Sequence, residues 1–184
     1  MSLNNPTCPT GCTGYIVDVD FNFCDPDVQF GEIDHIYLKA RDGSDLLDWQ
    51  SLAVWNARKA LDPTSDLDAI IDLTVIGDLP VAEKDEIEIS DGRKIQSPST
   101  FMINFEIDDV SDDNYEFMRW LECNTVVDMW FAANEVLFGG NPGIEVTLTA
   151  SYQIERGQKS LHKIVGTAKW ESKFSPPRTT NPMV

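Results

Sequence analysis

Ile144-Glu-Val-Thr-Leu-Thr-Ala-Ser-Tyr-Gln-Ile154 alternates without a break. Ile144, Val146, Leu148, Ala150, Tyr152 and Ile154 fall on one side. Glu145, Thr147, Thr149, Ser151 and Gln153 fall on the other. Successive side chains on an extended chain point to opposite faces, so this pattern is a strand with one buried and one wet face. The polar link Arg156-Gly-Gln-Lys159 and the stretch Leu161–Trp170 follow it, which reads as a hairpin.

The same reading extends outward. Gly14–Phe23 sets Tyr15, Val17, Val19, Phe21 and Phe23 against Asp18, Asp20 and Asn22, a strand with an acidic face. Ile33–Lys39 is another strand. Thr100–Ile107 alternates Phe101, Ile103, Phe105 and Ile107 against Met102, Asn104 and Glu106. Ala69–Ile76 and Val126–Ala132 are more continuously apolar, as expected of strands covered on both faces. Two segments carry helical spacing. Asp48 is placed to cap Trp49–Leu61, which Asp62-Pro63 ends. Asp113 and Glu116 form a capping-box pattern for a helix running to about Cys123. Ser90-Asp91-Gly92-Arg93 is an Asp-Gly turn between Glu86–Ile89 and Lys94–Gln96, so Leu79–Gln96 reads as a projecting, charged hairpin loop. Phe138-Gly-Gly-Asn-Pro-Gly143 fits a tight turn between strands.

The fold expected is a single α+β domain spanning 1–184, mainly an antiparallel β-sandwich or barrel of about eight strands with two helices. Neither the N-terminal segment 1–13 nor the Pro-rich C-terminal segment 171–184 has a periodicity that would fold on itself. Both read as extended arms held by neighbouring subunits.

Charge narrows the function. The 184 residues hold 31 Asp and Glu against 14 Lys and Arg, a net charge of −17. Such a chain has no electrostatic grip on phosphates. No apolar run reaches the roughly 20 residues of a membrane helix, so no membrane partner is expected. The start lacks the basic and apolar regions of a secretory signal. Residues 1–154 carry 8 basic and 29 acidic residues, whereas 155–184 carry 6 basic and 2 acidic. An acidic body with a basic end suits head-to-tail association of like subunits.

No stretch carries a recognisable chemistry. Phosphate-loop, dinucleotide, nucleophile-elbow and His-Glu-x-x-His patterns are all missing from the sequence. Spatial pairing of Cys123 with His35 or His162 is invisible at this level. Cys8, Cys12 and Cys24 do not have zinc spacing, and Cys123 stands apart. Asp18-x-Asp20-x-Asn22 resembles the opening of a calcium loop but has Phe23 where glycine is required and Gln29 where the closing Glu belongs. The cluster from Asp108 to Asp113 suits a helix N-terminus. We therefore expect no catalytic residue, metal or cofactor, and not an enzyme. The five tryptophans (Trp49, Trp55, Trp120, Trp130, Trp170) read as core or interface anchors rather than a sugar platform.

Ile33-Asp-His-Ile-Tyr-Leu38, Asp48-Trp49 with Trp55, Phe138-Gly-Gly140 and Trp170-Glu-Ser-Lys-Phe-Ser-Pro-Pro-Arg178 together resemble virion structural proteins of tailed bacteriophages. The nearest likeness is to uncharacterised proteins of Bacteroidetes phages and prophages. The resemblance implies a viral tail protein, a tail tube subunit stacking as hexameric rings around a DNA channel, located in the virion after assembly in the host cytoplasm. Its partners would be itself, as a homo-oligomer, and other virion proteins, with DNA as a cargo that must not stick. Other virion roles stay open: capsid auxiliary, head–tail connector or tail terminator. So does a carbohydrate- or cation-binding β module. Under the tube reading Asp18, Asp20 and Asn22 would face the channel. Lys169, Lys173, Phe174 and Arg178 would contact a neighbouring subunit, as would Asp91, Gly92, Arg93 and Lys94 in the hairpin.

Overall fold

The computed structural model describes residues 31–46, 48–82, 86–88, 94–123, 125–154 and 162–184. In chain order the elements are β1 (Ile33–Ala40), α1 (Leu52–Lys59), β2 (Ile70–Asp78), β3 (Glu86–Glu88), β4 (Lys94–Gln96) and β5 (Ser99–Ile107). There follow α2 (Asp112–Leu121), β6 (Val126–Ala133), β7 (Val136–Phe138), β8 (Ile144–Ile154), β9 (His162–Ser172) and β10 (Arg178–Thr180). The strands pair antiparallel in the order β1-β2-β5-β9-β8-β6, and β6 pairs back onto β1, which closes a six-stranded barrel. β7 and β10 extend the sheet beyond β6 as a flap, and β3 pairs with β4 in a small sheet of its own. The α+β class and the antiparallel barrel are as the alternation predicts.

Period-two patterning explains the closure. Ile36 and Leu38, Leu73 and Val75, Ile103 and Phe105, Val127, Met129 and Phe131, Val146 and Leu148, and Ile164 and Ala168 all point into one core. Closing the sheet buries this face from every strand and leaves few free edges. Val126–Ala133 is buried on both faces beyond its first residue, as its continuous apolar run predicts. β2 differs from its reading. Leu73 and Val75 are buried, but Thr74, Ile76 and Asp78 are exposed, so its outer face is wet.

A second core lies outside the barrel wall. Tyr37, Trp130, Ala132 and Leu137 face outward and are covered by Leu46, Trp55 of α1 and Ile70. The Trp55 ring meets Trp130 edge-on at 5.4 Å, and its indole N–H donates to Trp49 O at 2.8 Å. The helix is shorter than its spacing suggests. Asp48 is not its cap. The Asp48 carboxylate accepts the Gln50 N–H at 3.0 Å in a turn that precedes the helix, and Ser51 holds the cap position. In α2 the Asp113–Glu116 capping box is likewise replaced, with Ser111 at the cap position. Asp112 and Asp113 lie in the first turn, where the helix dipole favours them.

The barrel has two distinct ends. Ser99 pairs with Ser172 at one, and Ile107 with Ile164 at the other. The β3–β4 hairpin leaves from the first end, between Asp78 and Ser99, and its strand pairing matches the expected hairpin. At the second end α2 joins β5 to β6 and contributes Met118 and Leu121 to the barrel core.

Candidate functional site

Polar groups concentrate on the outer face of β1 and its neighbours. Lys39, Asp128 and Glu145 sit side by side on β1, β6 and β8. Lys39 and Asp128 are almost fully buried, with the ammonium 2.9 Å from Asp128 Oδ2. The ammonium also donates to Ala40 O at 3.1 Å and Gly43 O at 3.3 Å. Arg41 donates to Asp128 Oδ1 at 3.1 Å and pairs with Glu145 at 2.8 Å. Burial pushes the Asp128 carboxyl above the ordinary carboxylate value, with Lys39 and Arg41 opposing it.

A second cluster ties α1 to the barrel. Asp72 receives His35 Nδ1 at 2.8 Å on one oxygen and Lys59 Nζ at 2.5 Å on the other. Tyr37 stacks on His35 with ring centroids 5.9 Å apart, and Lys59 stands 5.6 Å over the Tyr37 ring. Burial, then the charges of Asp72 and Asp34, push the Tyr37 phenol far up, so it stays protonated. Beside it, Ser44 and Arg58 bind the Asp68 carboxylate and hold its pKa at about 2. Both histidines are engaged, since His162 Nδ1 lies 2.9 Å from the Tyr152 hydroxyl. These carboxylates therefore fasten loops and α1 to the wall. Among the described residues, no group of three or more His, Cys, Asp or Glu side chains is placed to hold a metal. No helix among them is long and apolar enough to cross a membrane.

The sequence-derived interface residues fall in different parts of the chain. Asp18, Asp20, Asn22, Asp91, Gly92 and Arg93 lie outside the described residues. Lys94 opens β4 and pairs in register with Glu88. Lys169 lies exposed on the outer face of β9, level with Thr147 and Met102. Lys173 is exposed with its ammonium 5.6 Å over the half-buried Phe174 ring, so the structure brings this pair together.

Beyond Phe174 the C-terminal segment is anchored on its own chain. Arg178–Thr180 forms β10 against β7. Gly139 N–H donates to Pro177 O at 3.0 Å, and Asn181 N–H donates to Glu135 O at 2.6 Å. Asn181 is buried, and Met183 packs on the outer core. Phe174 is itself tied to the end of β9, since the Ser172 hydroxyl donates to Phe174 O at 2.8 Å and accepts the Phe174 N–H at 3.2 Å. Arg178 is exposed on the edge strand, where a shallow groove of about 260 Å³ is lined by Glu135, Val136, Arg178, Thr179 and Thr180.

Sequence reasoning missed the Lys39–Asp128 pair and the Asp72 cluster. The available signal was one Asp inside an apolar strand, because a buried charge requires a partner. Comparison with protein-family models, with curated proteins and with solved structures finds no match.

Proposed function

We propose that this chain is a structural subunit of a phage virion, a tail tube protein that stacks as rings around an acidic DNA channel. The observation that carries the reading is a closed barrel with two unlike ends. The β3–β4 hairpin leaves from one end, and the helix α2, with Asp112 and Asp113 in its first turn, stands at the other. A subunit with unlike ends stacks head to tail. The polar clusters support the reading because they are spent on fastening the fold. A net charge of −17 suits a wall along which DNA must slide, since carboxylates repel phosphates.

Electron microscopy of the purified full chain tests this. Tubes, or rings that stack, are the expected result. Single rings that never stack would point to a connector or terminator. Isolated monomers that bind calcium or a glycan would overturn the virion reading in favour of a binding module.

A further inference from the structure

Lys39 and Asp128 face each other in register across the seam where β1 and β6 close the barrel. Both are almost fully excluded from water, at 2% and 1% exposure. On its other side Lys39 is level with Ile70 of β2, and the next pair on the same outer face is Tyr37 with Trp130. Ile70, Tyr37 and Trp130 all belong to the buried outer core. One amine and one carboxyl group thus lie together in a dry, largely apolar place.

The two carboxyl oxygens have different neighbours. Lys39 Nζ stands 2.9 Å from Oδ2, and the Ala40 and Gly43 carbonyls accept from it and fix its position. With a C–O bond of about 1.2 Å, the carboxyl carbon is at most roughly 4.1 Å from that nitrogen. Arg41 donates to Oδ1 at 3.1 Å, and Glu145, next in register beyond Asp128, holds the same guanidinium at 2.8 Å. Each charge of a buried ion pair has lost its hydration, whereas an amide in the same place is neutral.

We propose that Lys39 and Asp128 condense into an intramolecular isopeptide bond that locks β1 to β6. The ion pair is the state before condensation. The ammonium first passes a proton to Oδ2, which leaves a neutral amine and a neutral carboxylic acid. Burial favours that state, since it raises the Asp128 carboxyl above its ordinary range despite both cations. Nζ then attacks Cγ, and as the N–C bond forms, negative charge gathers on Oδ1 against the Arg41 guanidinium. The nitrogen gives its extra proton to Oδ2, the Cγ–Oδ2 bond breaks, and Oδ2 leaves as water. Ammonium and carboxylate become one amide and one water, with no oxidant or co-reactant. The amide keeps one N–H, beside the Ala40 and Gly43 carbonyls that the ammonium already uses. The bond joins positions about half of the chain apart, so it restricts the unfolded chain as a disulfide does. It needs one chain only and does not depend on how copies associate.

Mass spectrometry of the native full-length chain tests this. After prolonged incubation at neutral pH, the intact mass should fall short of the sequence mass by one water. Trypsin does not cleave at an acylated lysine, so it should release residues 1–41 joined to residues 120–156 as one branched peptide. The apolar double variant Lys39→Met/Asp128→Leu should keep its full mass and give no branched peptide. A wild-type chain that retains its full mass overturns the proposal. So does a loss of water without the branched peptide, because dehydration at Asp91-Gly92 lowers the mass equally.

Discussion

Asp128 stands in a strand that is otherwise apolar from Val126 to Ala133. Its carboxylate is held by Lys39 on the neighbouring strand and by Arg41. Removing one partner of a buried pair leaves the other charge without compensation, so Asp128→Asn should cost about 3–5 kcal/mol. The double variant Lys39→Met/Asp128→Leu should recover most of that loss, because two apolar groups need no pairing. Urea unfolding of the three proteins checks both statements. Asp68 gives a pH signature. Its folded pKa, about 2, lies below the ordinary 3.8. Ionised Asp68 therefore stabilises the fold above the unfolded value, and the contribution fades as pH falls from there toward 2. Asp68→Asn should flatten the acid side of the stability–pH curve in that window. A third site is the Trp130 indole, which donates to Gly140 O at 2.7 Å. A Cβ on Gly143, at φ 118°, would come within 2.7 Å of its ring. Gly143→Ala should cost about 2–4 kcal/mol, through backbone strain and overpacking, in the same unfolding experiment.

Long strands were legible and short ones were not, for a physical reason. Eleven alternating residues in β8 cannot be mistaken, whereas β7 and β10 hold three residues each and exist only because they pair with each other and with β6. Barrel closure was also out of reach, since Ile36 meets Phe131 across about half of the chain. The helix caps slipped because Asp48 and Asp109 bind backbone N–H groups two residues on, making turns before the helices rather than caps on them. The C-terminal segment lacks a pattern of its own and borrows its order from β7, from the Gly139 N–H and from the outer core. Truncation after Ser172 should therefore lower the thermal midpoint by about 5–10 °C, by exposing Leu137 and leaving β7 as a bare edge. An unchanged midpoint would show that β10 adds nothing to the domain.

At the scale of the whole molecule, the uneven charge was readable from the sequence, but its placement was not. The register of β5, β8 and β9 puts Lys163 at the Ile107 end, with α2, and Lys169 toward the Ser99 end, so the basic stretch is divided along the barrel. Under the proposed tube reading Asp18, Asp20 and Asn22 would face the channel, so replacing both aspartates with lysine should leave folding intact while impairing DNA passage, as scored by infectivity. The most direct test of the account is the mass of the full-length chain in solution as concentration rises at low salt. The account predicts a growing population of multiples of the 20.6 kDa chain that shrinks when salt is added. A single 20.6 kDa species at every concentration and salt would contradict it.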